Sequence, residues 1–180
     1  MNYEQSIDYI HSIPKFRRPL GNVNLEKLLN HLGNPQKKLK FIHIAGTNGK
    51  GSTAAMTAEI LKKSGFKTGL FTSPYLEVFN ERIRINGENI TDNDLAEYVT
   101  RVKAIMKKNN ALVSEFAFIT AVSFLYFYEK QCDIVVLEVG MGGKLDATNV
   151  IDSSLVSVIC KIGLDHTQYL GNTVEEIAKE

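Results

Sequence analysis

The sequence predicts an α/β fold in which a mostly parallel β-sheet carries helices on both of its faces. The first observation is a set of short, almost wholly apolar segments at residues 40–45, 132–140 and 154–163, which have the length of buried strands. The second is that long helical patterns separate these segments, as they do in parallel sheets. The third is size, because 180 residues of which 44% are hydrophobic can bury one sizeable core.

The first half of the chain begins with helices and continues with strands. An amphipathic pattern predicts a helix over residues 3–13. Asn24 is predicted to cap a short second helix, which Gly33 and Pro35 end. The elements predicted next are a strand over residues 40–45, a helix over residues 51–65 that Gly65 stops, and a strand over residues 66–72.

The second half contains a hairpin, two long helices and two further strands. Arginine and isoleucine alternate over residues 82–85, and Asn86 with Gly87 is a strong signal for a hairpin turn. Thr91 is predicted as the N-cap of the next helix. The remaining predicted elements are a very apolar helix over residues 114–130, strands over residues 132–140 and 154–163, and a last helix opened by a capping box of Thr173 and Glu176.

Composition excludes several classes of partner. The formal net charge is +1, which gives no electrostatic case for binding nucleic acid or a membrane surface. No stretch approaches the ~18 consecutive apolar residues of a membrane span, and the polar N-terminus lacks a signal core. Cys132 and Cys160 lie in apolar surroundings without metal-ligand spacing, so we expect free thiols in a reducing, cytoplasmic setting.

A glycine-rich segment between the strand at residues 40–45 and the following helix is the strongest chemical signal. Backbone N–H groups of such a loop, together with a helix N-terminus, favour phosphate oxygens. The segment departs from the usual phosphate-loop pattern, because a glycine separates its lysine from its serine, and a plain turn is the alternative. The predicted nucleotide-binding residues are Gly46, Thr47, Asn48, Gly49, Lys50, Gly51, Ser52 and Thr53.

Two other strand ends carry groups that bind metals. Glu138 ends an apolar strand, where a charge is costly unless it is paired or bound to a metal. Asp165 and His166 follow the strand at residues 154–163. A lone histidine is more often structural, and an imidazole suits Mn²⁺ or Zn²⁺ better than Mg²⁺, so chemistry alone leaves the metal open.

Five segments occur in an order that resembles a known family. They are LGNPQ, GTNGKGS, GLFTSPYLEVFNERIRING, VVLEVGMGGKLDATNVI and IGLDHTQYLGNTVEEIAKE, which together extend over residues 32–180. All resemble segments of the folylpolyglutamate synthase and dihydrofolate synthase branch of the Mur ligase superfamily. The resemblance implies the P-loop-containing fold of the Mur ligase central domain.

That resemblance also implies an activity. Members of the branch use ATP and Mg²⁺ to add L-glutamate to a folate, and some add it to dihydropteroate. The substrate carboxylate is first converted to an acyl phosphate, which the amine of glutamate then displaces. By the same resemblance, the full-length enzyme is expected to be a cytoplasmic monomer. Two alternatives stay open, namely a Mur-type amide ligase for another acid and a non-catalytic nucleotide-binding module.

Site residues follow from the resemblance position by position. Lys50, Glu138 and His166 are implied as catalytic residues, and Ser73, Glu138 and His166 as metal ligands. The implied substrate-binding residues are Ser114, Phe116, Leu145, Asp146 and Ala147. Arg82 and Arg84 are implied to lie in a mobile loop near the substrate. From the residues alone, a turn cap is the alternative for Ser73, and an aromatic such as Phe116 on an apolar helix is more often a core residue.

Length departs from the family pattern. The resemblance predicts that residues 1–180 form a single, incomplete N-terminal ATP-binding domain, and that the C-terminal glutamate-ligase domain is absent. The family continues with a lysine that becomes carbamylated, whereas Lys179 stands one position too early to match it. We therefore expect that this fragment alone is inactive.

Overall fold

A computed structural model describes residues 1–16 and 21–180 of the chain. The helices are α1 (Tyr3–Ser12), α2 (Val23–His31), α3 (Lys50–Lys63), α4 (Asp92–Lys108), α5 (Glu115–Glu129), α6 (Thr167–Leu170) and α7 (Val174–Ala178). The strands are β1 (Phe41–Ala45), β2 (Thr68–Phe71), β3 (Ile83–Ile85), β4 (Glu88–Asn89), β5 (Ile134–Glu138) and β6 (Val156–Ile159). Short 3₁₀ helices occupy Pro35–Lys38, Phe79–Arg82 and Ala147–Val150.

The six strands form one mixed sheet in the order β4-β3-β2-β5-β1-β6. The pairs β2–β5, β5–β1 and β1–β6 are parallel, whereas β3 and β4 add an antiparallel hairpin at one edge. Asn86 and Gly87 both have positive φ, at 52° and 85°, as the predicted two-residue hairpin turn requires. The predicted α/β class and the mostly parallel sheet are therefore confirmed.

The two faces of the sheet are covered unequally. Helices α1, α2, α4 and α5 pack on one face and form the large core, in which Phe41, Phe71 and Phe124 are fully buried. Among the described residues, α3 covers the other face, where Ile44 and Leu70 belong to a small cluster. Helices thus lie on both faces, as predicted, but most of the apolar burial lies on one side.

The prediction of a buried strand over residues 154–163 is wrong in its burial. β6 lies at the edge of the sheet and pairs with β1. Val156 is 50% and Ile159 70% exposed, whereas Val158 packs against the small cluster that contains Ala54 of α3. An apolar run predicts the strand itself, whereas burial depends on neighbours that the run does not specify.

Capping was predicted correctly at two helices and wrongly at one. The side chains of Thr91 and Thr173 cap α4 and α7, and Thr173 forms the predicted capping box with Glu176. Helix α2 begins two residues earlier than predicted, because Asn22 is its N-cap. Asn24 lies inside the helix, and its Nδ2 donates to the Leu112 carbonyl at 3.0 Å.

No helix among residues 1–16 and 21–180 combines the length and hydropathy needed to cross a membrane.

Gly69 in β2 is a position where the core leaves no room for a side chain. A Cβ added there would lie 2.9 Å from Cδ1 of Phe127, which is fully buried. We predict that Gly69→Ala lowers the free energy of unfolding by about 1–3 kcal/mol, because overpacking forces the ring from its position. Chemical denaturation measures this change.

Gly163→Ala is the matched control, because a Cβ there meets its nearest atom, Asn48 Nδ2, at 3.9 Å. Equal stability losses in the two variants would contradict the packing argument.

Candidate active site

Three parallel strands end beside one another at the same edge of the sheet. The glycine-rich loop follows β1, Ser73 follows β2, and Glu138 is the last residue of β5, which lies between them. Ligands of parallel sheets bind beyond this edge. The topology therefore brings together groups that lie up to 92 residues apart in the sequence, counted from Gly46 to Glu138.

The glycine-rich loop is anchored on one side and open on the other. The amides of Thr47 and Asn48 both donate to the Lys161 carbonyl, at 3.0 and 3.1 Å. Thr47 Oγ1 also bonds the amide and the carbonyl of Gly163. These two residues were predicted to bind nucleotide, but their amides hold the loop against the segment after β6. This anchoring role of Thr47 and Asn48 was not predicted from the sequence.

The amides that remain free belong to the start of α3. Gly49 is the N-cap and has a φ of 87°, and α3 begins at Lys50. In the described residues, the amides of Gly49, Lys50, Gly51 and Ser52 have no hydrogen-bond partner. Four free N–H groups at the positive end of a helix form an anion site. This half of the loop is the part suited to phosphate.

Lys50 folds back over the loop. Its Nζ donates to the carbonyls of Gly46 at 2.8 Å and Thr47 at 3.3 Å. The hydroxyls of Ser52 and Thr53, close to Lys50 in the sequence, have different environments. Ser52 is exposed, whereas Thr53 Oγ1 accepts a 3.4 Å contact from Cys160 Sγ. Ser52 is therefore the hydroxyl better placed for a ligand in solvent.

Glu138 is a carboxylate buried at the centre of this edge. It is 4% exposed, and its Oε2 accepts a 2.9 Å hydrogen bond from the Ser73 amide. Burial raises the pKa of Glu138, while the Ser73 amide and the charges of Lys50 and Arg82 lower it, and the net direction is upward. In the described residues, Oε1 has no hydrogen-bond partner. That oxygen is available to a cation.

Ser73 is bonded on its second side to an arginine. Arg82 Nη1 donates to Ser73 Oγ at 2.9 Å, and its guanidinium lies over the rings of Tyr75 and Phe79. Arg82 Nε is buried and has no hydrogen-bond partner in the described part of the chain. Arg84 instead donates to the Glu81 carbonyl and fixes the loop that precedes β3. Only the first of these two arginines reaches the candidate site.

The predicted metal ligands are partly brought together. Ser73 and Glu138 touch and offer hydroxyl and carboxylate oxygens, which are hard ligands of the kind that Mg²⁺ prefers. His166 has a φ of 47° at the N-cap of α6, and its half-exposed ring lies 3.8 Å from Asp165. No group of three His, Cys, Asp or Glu side chains suited to a metal occurs in the described part of the chain. The oxygen pair fits Mg²⁺, and no contact joins His166 to that pair.

Two cavities meet at this edge. The larger has a volume of about 1090 Å³, and all five predicted substrate-binding residues line it, together with Ser73, Arg82 and His166. The smaller, of about 140 Å³, lies beside Gly46, Thr47 and Lys50. His166 and the loop at residues 140–143 line both cavities. One wall therefore separates the glycine-rich loop from the larger cavity.

Two of the predicted substrate-binding residues begin α5. Ser114 is the N-cap, and its Oγ accepts from the Ala117 amide at 3.4 Å. Phe116 is half-buried and packs on Phe71, with ring centroids 5.8 Å apart. A Cβ on Gly140 would lie 2.7 Å from the Phe116 ring. Phe116 thus packs on the core and also lines the cavity, and its contact with a substrate stays a prediction.

The other three lie in the loop after β5. Leu145 is 59% exposed, whereas Asp146 and Ala147 are buried. Asp146 Oδ1 accepts from the amide and the hydroxyl of Thr148, and Oδ2 accepts from the Met141 amide at 3.0 Å. Burial raises the pKa of Asp146, and these donors lower it, with a net upward direction. Thr148 and His43 were not among the site residues predicted from the sequence. The position of His43 inside an apolar strand could have signalled a role for it.

Comparisons with known proteins agree with this arrangement. The model of the Mur ligase middle domain matches residues 44–180. Folylpolyglutamate synthase from Lacticaseibacillus casei is 44% identical over 99% of the chain, and the chain covers 43% of it. The dihydrofolate synthase/folylpolyglutamate synthase of Bacillus subtilis is 43% identical over 99% of the chain, with 42% of that protein covered.

Solved structures show the same fold. A complex of FPGS with AMPPCP and folate superposes with a TM-score of 0.94 at 44% identity, over 99% of this chain and 45% of that one. The chain spans less than half the length of these relatives. With a family model that matches three quarters of its residues, the chain belongs to the Mur ligase middle-domain family.

Proposed function

We propose that the protein is an ATP-dependent ligase that adds L-glutamate to a folate, and to dihydropteroate, with Mg²⁺ as its metal. The observation that supports this proposal is the wall shared by the two cavities, because a glycine-rich loop lies on one side of it and a large, mixed polar and apolar pocket on the other. Relatives named folylpolyglutamate synthase and dihydrofolate synthase supply the substrate class. The cytoplasm is the proposed site of action, in keeping with two free cysteines.

ATP is proposed to lie with its phosphates at the start of α3. The four free amides from Gly49 to Ser52 offer N–H donors, and the dipole of a 14-residue helix adds to them. Lys50 then exchanges its two carbonyl contacts for phosphate oxygens within reach of the same loop. The exposed Ser52 hydroxyl lies on the same turn of helix.

Ser73 and Glu138 are proposed to hold Mg²⁺, with His166 as a further ligand. When bound there, the metal supplies charge neutralisation for the transferred phosphoryl group. Glu138 contributes the negative charge, and the Ser73 amide keeps its Oε2 in place, so that Oε1 faces the ligand. Arg82 supplies a second positive group beside Ser73.

The larger cavity is proposed to bind the pteroate part of the substrate. Phe116 offers an aromatic face, Leu145 and Ala147 offer apolar surface, and Asp146 offers a buried carboxylate. A substrate held there has its carboxylate near Ser73 and the shared wall, and the phosphate loop lies on the other side. Positioning of this kind is the main source of catalysis in phosphoryl transfer, so no nucleophilic side chain is needed.

A direct test is an assay of the full-length protein with MgATP, glutamate and either tetrahydrofolate or dihydropteroate. We expect ADP and a glutamylated product that require both glutamate and the pteroate compound. ADP formation that is independent of every pteroate compound would contradict the proposal and favour another acid or a simple nucleotide-binding module.

Lys50→Ala is predicted to weaken MgATP binding. Loss of one charge-assisted contact costs about 1.5–3 kcal/mol, which corresponds to an affinity roughly 10- to 150-fold lower. Isothermal titration calorimetry measures this change. The control is Lys63→Ala on the same helix, since that side chain is 77% exposed and pairs only loosely with Glu59. Equal affinities of the Lys50 variant and the unchanged protein would mean that the loop is a plain turn.

Glu138→Gln is predicted to reduce amide formation at least about 100-fold while the protein stays folded. Glutamine is nearly isosteric and can still accept from the Ser73 amide, but it lacks the charge that binds the metal. Product formation and thermal unfolding are measured in parallel.

Glu59→Gln, a half-exposed position on α3, is the matched control and is expected to behave like the unchanged protein. A normal rate for the Glu138 variant at ordinary Mg²⁺ concentrations would remove Glu138 from the metal site.

A further inference from the structure

A chain of three polar side chains runs from the wall of the larger cavity into the sheet. Thr148 Oγ1 lies 2.6 Å from Asp146 Oδ1 and 2.8 Å from Nε2 of His43. Thr148 is fully buried, Asp146 is 7% exposed, and His43 is half-buried in the middle of β1. The proposed reaction gives no role to Thr148 or His43.

The number of protons restricts the direction of these hydrogen bonds. A threonine hydroxyl has one hydrogen, so it can donate to only one of its two neighbours and must accept from the other. If Asp146 is ionised, it can only accept, and Thr148 donates to it. His43 must then donate from Nε2, with its proton on that nitrogen. If Oδ1 of Asp146 instead carries a proton and donates it to Thr148, both bonds reverse, and His43 carries its proton on Nδ1.

Burial raises the pKa of Asp146 and opposes its ionisation. The geometry of the donors around its carboxylate favours the first arrangement. The amides of Thr148 and Met141 also donate to its carboxylate, at 2.9 and 3.0 Å, and N–H donors stabilise the ionised form. Burial lowers the pKa of His43, which keeps the ring neutral and able to carry a single proton on Nε2. Every donor in the chain then has an acceptor.

We propose that Thr148 and His43 are positioning residues that hold Asp146 as an ionised hydrogen-bond acceptor in the larger cavity. There it selects ligands whose ring edge presents N–H donors, as the aminopyrimidine edge of a pteroate compound does. A ligand that presents an acceptor in the same place would leave two buried acceptors facing each other, which costs binding energy. This inference rests on the proposed function for the identity of the ligand.

The proton arrangement can be observed without any ligand. Nitrogen-15 NMR of the ring of His43, assigned by its loss in His43→Gln, distinguishes the two tautomers. We expect the Nε2–H tautomer in the unchanged chain and a different nitrogen signature in Thr148→Val, which removes the hydroxyl at constant shape. A proton on Nδ1 in the unchanged chain would overturn the proposal.

Ligand affinity provides the second measurement. We expect Thr148→Val to bind dihydropteroate at least about tenfold more weakly, the size of effect that loss of a hydrogen bond to a charged group produces. Thr148→Ser restores the hydroxyl and should recover most of the affinity, which a purely structural role would not predict. MgATP affinity should be unchanged in both variants.

Thr68→Val is the matched control, because Thr68 of β2 is 2% exposed and, among the described residues, its hydroxyl bonds only the Phe66 carbonyl. Equal affinity for dihydropteroate in Thr148→Val and the unchanged chain, or an equal loss in Thr68→Val, would overturn the proposal. If the unchanged chain binds MgATP but no pteroate compound, the proposed function fails, and the tautomer of His43 still decides the proton arrangement.

Discussion

A buried carboxylate at the end of the central strand is the constraint on which the site depends. Glu138 ends β5, where an unpaired charge would be costly, and the two neighbouring strands supply the groups that stabilise it. The loop after β2 brings the Ser73 amide, and α3 after β1 brings the charge of Lys50. The order β2-β5-β1 therefore gives the carboxylate its partners and brings the glycine-rich loop next to the candidate metal site.

The loops at this edge are held by local carboxylates as well as by apolar packing. Glu81 accepts the amides of Leu76, Glu77 and Val78, and these backbone bonds lower its pKa. Asp146 accepts two amides in the loop after β5, and Glu176 accepts two amides beside α7. Buried side chains of the same loops, Phe79, Ala147 and Val150, belong to the large core. Apolar contacts and local carboxylates thus act together to fix the loops that extend from the strands.

Local patterns in the sequence predicted the helices, strands and turns well, but they could not predict contacts between distant segments. The hairpin at Asn86 and the capping box at Thr173 depend on neighbouring residues, so they could be predicted. The edge position of β6 depends on strand order, which no local pattern specifies. Asn24 is as good a cap by type as Asn22, and the choice between them is tertiary. The same limit hid the anchoring of the glycine-rich loop to Lys161.

The unusual glycine after the loop lysine also has a tertiary explanation. A Cβ on Gly51 would lie 3.6 and 3.7 Å from the two carboxylate oxygens of Glu138. Such contacts are sterically ordinary, so strain is not the reason for glycine at this position. A side chain there would instead occupy the space beside Oε1, the oxygen that has no partner in the described residues. A cation bound by Glu138, as proposed above, would need that space for itself and its water ligands. We therefore propose that glycine at this position serves the metal site and not the phosphate loop.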